Sequence, residues 1–438
     1  MAATFGTHVS GPRSAALGDI VLDEARSRIY APVPASNALA IYTYTGKAIT
    51  LFSNGIATHA LPISAAMSPD GQRLYVACYT DSVIDVFDLT KSVPAVINSI
   101  TLGSNPEAVA VGKDGRVLIS TVGGSGHSIL AIYNPLASAS TALQGIVTNS
   151  AFTAPTAITE PVPSDVYLAG HARFAVTADG LTIVGVHSST ASRSVFVYDV
   201  ASATVLAART FSGFSTVIAV WKDPNSTIMR ILSGNMLLDG NTLAVLATQS
   251  SNNAPYVITG AFTQAAPSTT TSNVTQGGAA FSPDGTHLYA AYNIVPDQNP
   301  TAQSNIGQLT VNTPDNLLIQ MGIQTPENLG GKMVITTKGD NLYAISNLGF
   351  LWLPIGVLQT TYPIGVPDTN VALLASDQCG VTAAMTSAVI PVRNQGAGSL
   401  TLSTPLTITS TSTSTTLSAA TKSYGADVTA RFNSSAAK

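Results

Sequence analysis

The stretch Met67–Leu89 reads Met-Ser-Pro-Asp-Gly-Gln-Arg-Leu-Tyr-Val-Ala-Cys-Tyr-Thr-Asp-Ser-Val-Ile-Asp-Val-Phe-Asp-Leu. A tight turn at Pro69-Asp70-Gly71 leads into a strand at Arg73–Cys78. A polar corner at Thr80–Ser82 then leads into a second strand at Val83–Asp88. Both strands are rich in β-branched and aromatic residues and bounded by turn formers, the pattern of half-buried antiparallel strands.

Moving outward, the same pattern recurs, and self-similarity at this period decides the architecture. Leu17–Gly55 carries Arg28-Ile29-Tyr30 and Ala38–Tyr42. His59–Gly103 holds the quoted stretch. Asn105–Pro135 carries Lys113-Asp114-Gly115 and Ile129–Tyr133, and a Ser/Ala/Thr-rich insertion, Leu136–Tyr167, follows it. Gly170–Gly213 has Ala178-Asp179-Gly180 and Ser194–Asp199. Ser215–Tyr256 is degenerate, with Lys222-Asp223-Pro224-Asn225 at its turn. Gly277–Gln324 restores Ser282-Pro283-Asp284-Gly285, and Asn328–Ile364 has Lys338-Gly339-Asp340-Asn341. Each unit fits four strands. One such sheet cannot bury both faces alone, and stacking sheets radially around an axis is the solution. The expected fold is all-β, a seven-bladed β-propeller over residues 17–364. Residues 1–16 form an extended segment that either adds an edge strand or leaves the seventh unit complete alone.

Pro-Asp-Gly-x-x-Leu-Tyr-Val followed by Val-x-Val-Phe-Asp resembles the YVTN-type repeat of seven-bladed propellers, related to surface-layer and lactonase-like propellers. The resemblance covers Leu17–Ile364. It is specific for fold and nearly silent on function, because it consists of turn and packing residues. Residues 365–438 lack the repeat turn. Ile-Pro-Val-Arg-Asn-x-Gly-x-Gly-Ser-Leu there resembles small immunoglobulin-like domains of the BACON kind. The segment is short for a full sandwich, which reads as a chain stopping inside a longer one.

Composition bounds the partners. Only 10% of the 438 residues are charged, the net charge is −4, and no basic run grips a phosphate backbone, so nucleic acid is not an expected partner. No segment has the length of a membrane helix. Met1–Gly11 lacks the regions of a signal peptide. The low charge and hydroxyl-rich surface still point to an extracellular or periplasmic protein whose export signal is not in this sequence. Cys78 and Cys379 sit in no metal-ligand spacing. Two free thiols are the simpler reading, with a disulfide between them left open.

The recurrent Asp70, Asp114, Asp179 and Asp284 read as turn formers that bond their own backbone. More informative is one end of the disc, where inner strands begin and second strands turn into third strands. The repeat register places His59 and His171 at inner-strand starts and His127 and His187 at the corners. Asp81, Glu107, Arg173 and Arg193 map to the same end, and Asp297 lies in the long Val295–Gly307 loop. Imidazoles with a carboxylate hold a divalent metal or act as a general base. The alternative is that polar loops simply contain polar residues. Tyr44, Tyr79, Tyr292 and Trp352 either line that end or cap the layers between blades. No Gly-x-Ser-x-Gly elbow or phosphate-cradling loop is present. The expectation is a non-catalytic exported scaffold with no cofactor beyond an optional divalent metal, offering one loop face to a protein or carbohydrate. The alternative is a lactonase-like or metal-dependent hydrolase at the channel mouth. Convergence of the four histidines on one pocket discriminates the two.

Overall fold

The computed structural model describes residues 5–45, 48–122, 129–145, 172–188, 192–213, 215–249, 275–294 and 306–361, and the backbone of further strands between 365 and 433. Among these, Met1–Leu353 forms one compact unit and Pro354–Lys438 another.

The first unit is a seven-bladed β-propeller of seven four-stranded antiparallel sheets. The first six blades span residues 21–57, 62–101, 106–145, 172–212, 218–248 and 275–324. The seventh takes three strands from Leu329–Ile335, Leu342–Ser346 and Gly349–Leu353. Its fourth strand is Thr7–Ser10, which pairs in register from Thr7↔Trp352 to Ser10↔Gly349. The amino-terminal segment therefore closes the ring. The outer strand of the third blade, Leu143–Gly145, comes from the stretch read as an insertion.

The turn chemistry follows the sequence. Asp70 accepts from the Gln72 amide (3.0 Å) and the Ser68 hydroxyl (2.5 Å), and the hydroxyl accepts from the Arg73 amide (2.9 Å). Gly71 sits at φ +66°, a conformation open to glycine at little cost. The same hydroxyl–carboxylate pair recurs at Thr177–Asp179, Ser282–Asp284 and Thr336–Asp340. Strand alternation buries both faces of each blade against its neighbours. Tyr42, Tyr343 and Phe350 pack with Ile29 between the seventh and first blades, and Tyr30, Leu74 and Phe87 pack between the first and second. Fully burying each such side chain contributes about 1.5–3 kcal/mol.

In the second unit, a helix at Gly356–Thr361 precedes a three-stranded antiparallel sheet. Ser387–Asn394 is its centre, with Gly365–Pro367 and Asp427–Asn433 on either side. Leu406–Thr409 pairs with Ser414–Leu417, and Leu400–Leu402 with Lys422–Tyr424. Among the described residues, no helix is long and apolar enough to cross a membrane.

Candidate functional site

The inner strands surround an axial channel, and four of them are irregular at its narrow end. Register shifts fall at Pro62/Ser64, Pro106/Ala108, Gln276/Gly278 and Leu329/Met333. A bulge re-aims the side chains beside it. At the last of these, Gly330, Gly331 and Lys332 leave the ladder, and Lys332 reaches Asp19 of the first blade at 2.9 Å. Gly278 is required here, because a Cβ would stand 1.9 Å from the Gly331 carbonyl oxygen and its φ is +121°.

Asp19 is 2% exposed and fully engaged. One oxygen accepts from the Ile20 amide (2.7 Å) and Lys332. The other accepts from the Ser64 hydroxyl (3.2 Å) and the Ala65 amide (3.0 Å). Arg173 of the fourth blade borders the same constriction, and its Nη2 lies 3.5 Å from the Gly18 carbonyl oxygen. Burial draws the Arg173 guanidinium below its ordinary value, and the Asp19 carboxylate opposes that shift. Among the described residues, the charged side chains lining the constriction are thus Asp19, Arg173 and Lys332. Beyond it the channel widens to about 790 Å³, opening beside the turn residues Pro69, Lys113 and Asp179. Of these three charged residues, sequence reasoning found only Arg173. Asp19 and Lys332 carry no signal beyond a single charge in a Gly-containing apolar stretch.

The remaining candidates sit elsewhere. In the second blade, His59 donates its backbone N–H to Asp85 (2.8 Å), and its Nδ1 lies 2.7 Å from the same carboxylate. Asp85 is fully buried and also accepts from Ser99 Oγ (2.8 Å) and Cys78 Sγ (3.5 Å). Burial, with Asp85 beside it, pushes the Cys78 thiol far above its ordinary value, and Cys78 is a free thiol. Asp81 accepts from the Ala60 amide at 2.7 Å, tying the second blade's corner to its inner-strand start. His187 and Glu107 are buried together between the third and fourth blades, their side chains 3.3 Å apart without hydrogen-bond alignment.

Arg193 donates to the carbonyls of Ser212 (3.0 Å), Gly213 (3.1 Å) and Ser233 (3.3 Å), stitching the fourth blade to the fifth. Burial lowers its pKa to about 10. His59 and His187 therefore lie beside different carboxylates in different blades. His127, His171, Asp297 and Cys379 lie outside the described residues. Tyr292 and Trp352 are buried, and Tyr44 packs on Tyr343, so these three cap layers between blades. Among the described residues, no three His, Cys, Asp or Glu side chains group to hold a metal ion.

The outer rim of the first two blades exposes several large apolar side chains. Leu51, Phe52, Val93, Val96 and Ile97 are each 38–52% exposed. Arg28 stacks 4.9 Å over the Phe52 ring and donates to the Ser92 carbonyl at 2.9 Å, which ties the two blades' rims together.

No family model and no curated protein matches the sequence. Solved structures do match. Hydrazine synthase of Kuenenia stuttgartiensis superposes with a TM-score of 0.53 at 15% identity, over 80% of this chain and 98% of that one. A chain of a mitotic checkpoint complex gives 0.54 at 11% identity, over 81% and 95%. The Cps50 (Swd1) β-propeller domain of Myceliophteria thermophila gives 0.50 at 9% identity, over 80% and 99%. At these identities the likeness shows the fold alone.

Proposed function

We propose that the protein is a non-catalytic, exported β-propeller scaffold of the YVTN-repeat type that binds a protein partner, with residues 365–438 as an immunoglobulin-like spacer or attachment domain. The observation that carries the reading is the apolar rim of the first two blades. Leu51, Phe52, Val93, Val96 and Ile97 are exposed at the edges of two adjacent blades that Arg28 joins, and exposed large apolar side chains of this kind suit a protein contact. The arrangement of His59 on Asp85 and of His187 beside Glu107 adds support, because it commits both imidazoles to separate blades rather than to a shared reaction centre. The matched mitotic checkpoint complex is itself a protein assembly, in keeping with a propeller used as a platform.

The test is a Phe52→Asp/Ile97→Asp double variant. Both side chains are about half exposed and Phe52 carries the Arg28 stack, so its melting temperature should fall by only a few degrees. A partner recovered by the wild type from envelope extracts, purified and rebound directly, should lose at least tenfold in affinity for the variant. Equal affinity removes the rim from the interface. Turnover of a lactone panel by the wild-type protein favours the hydrolase instead.

A further inference from the structure

The strand that closes the ring is tethered to the first blade by a strained turn. Gly11 (φ −63°, ψ 159°) and Ala15 (φ −81°, ψ 146°) are both extended, so the chain reverses between them. There Arg13 and Ser14 stand at φ +56° and +55°, and both are exposed. The Ala15 amide donates to the Pro12 carbonyl (3.1 Å). This is the pattern of a type I′ turn, whose two central positions favour asparagine and glycine. Among the described residues, Arg13 and Ser14 are the only adjacent non-glycine pair with positive φ. A residue with a Cβ holds that conformation at a cost in free energy.

The contacts that hold the closing strand lie on the amino-terminal side of this turn. They are the four pairs from Thr7↔Trp352 to Ser10↔Gly349, the Phe5 amide on the Gln324 carbonyl (2.8 Å), His8 beside Glu327 (3.1 Å), the Tyr42 hydroxyl on the Ser10 carbonyl (3.1 Å) and the Gly11 amide on the Leu348 carbonyl (2.8 Å). On the other side, Leu17 and Ile20 are fully buried and fix the chain to the first blade. Straightening the turn gives up the Ala15–Pro12 bond and the Ser14–Gly11 bond (2.9 Å) and releases both left-handed residues. The strand's own contacts can then be remade, group for group, on a second copy. Thr7, His8 and Ser10 are exposed, so the strand leaves without opening the core. We propose that the protein forms a domain-swapped dimer in which each copy supplies the fourth strand of the other's seventh blade. Each edge then receives the strand it already fits, so no new interface has to be built. Residues 11–16, once extended, form a tether of about 20 Å between the copies.

The full chain is held at millimolar concentration just below its unfolding transition, cooled, diluted and sized by light scattering. The expected product is a dimer that persists after dilution, because its release requires the strand to open again. Arg13→Asn/Ser14→Gly relaxes the turn and leaves the strand intact. Each dimer opens two turns, so this double variant should lower the association constant at least tenfold. Deleting Arg13 and Ser14 denies the strand its return path and should give a dimer already at micromolar concentration. Phe52→Asp/Ile97→Asp should dimerise like the wild type, which separates strand exchange from association through the rim. The wild-type and turn-variant comparison keeps the closing strand, so it stands if the shortened chain fails to fold. A wild type that stays monomeric through the warm incubation, a turn variant that dimerises as readily as the wild type, or a dimer abolished by the rim variant overturns the proposal.

Discussion

Asp85 is the most heavily engaged buried carboxylate of the second blade, and removing it should unlock that blade. One of its oxygens takes His59 Nδ1 and Ser99 Oγ, and the other takes the His59 amide and Cys78 Sγ. In Asp85→Asn the amide nitrogen cannot face the His59 N–H, because two donors would meet. It must face His59 Nδ1 and Ser99 Oγ, and both can reverse roles, the first by changing tautomer and the second by rotating. The variant then loses only charge assistance, about 1–2 kcal/mol. Asp85→Ala leaves the His59 amide and its neighbours without an acceptor in the interior and should cost about 3–5 kcal/mol. His59→Ala removes one bond and uncovers the carboxylate, for about 1–2 kcal/mol. Native-state hydrogen exchange at the amides of Val83–Asp88 reads this locally. Protection should fall roughly a hundred- to four-thousandfold in Asp85→Ala and roughly 5- to 30-fold in the other two. Wild-type protection in His59→Ala, or equal losses in Asp85→Asn and Asp85→Ala, would refute the view of His59 as a latch on a buried charge.

Two further outcomes follow from the same reasoning. Deleting residues 1–10 removes the seventh blade's outer strand, the Tyr42 hydroxyl's bond to the Ser10 carbonyl (3.1 Å) and Val9 from the Phe350 cluster. The loss should be roughly 2–4 kcal/mol, seen as a lower melting temperature in calorimetry, and an unchanged transition would show that the ring closes without this strand. Asp179 resists burial through Lys222 and Thr177, which bring its pKa down to about 2. Because the folded value is depressed, its contribution is present above the ordinary carboxylate pKa and lost as pH falls from about 4 toward 2. Both side chains are about a third exposed, so it stays below about 1 kcal/mol. In Lys222→Ala, carboxyl NMR should find the Asp179 pKa raised toward the usual range, and an unmoved value would leave Thr177 and the backbone as the whole cause.

The blades were legible because their determinants are local. Ser68-Pro69-Asp70-Gly71 makes its turn from its own side chains, and Arg73–Cys78 and Val83–Asp88 advertise their burial by composition. Leu143–Gly145 was hidden because three residues, none of them fully buried, make no periodic signal. Thr7–Ser10 was hardly better, with only Val9 turned partly inward. In both cases the partner strand, not the strand's own sequence, decides the structure.

The candidate site obeys a different logic. Repeat register places a residue at one end of the disc but says nothing about direction around it, and direction decides which group it meets. His59 turns to Asp85 within its own blade, and His187 turns to Glu107 of the blade before. These two imidazoles therefore do not meet, although both lie toward the same end of the ring. Lys332 shows the converse. Its inner strand leaves the ladder at Gly330-Gly331, a backbone irregularity that composition does not announce, and only that departure lets it meet Asp19 from the opposite end of the chain. The repeats thus encode the walls of the channel, whereas Lys332 reaches the axis because its repeat is broken there.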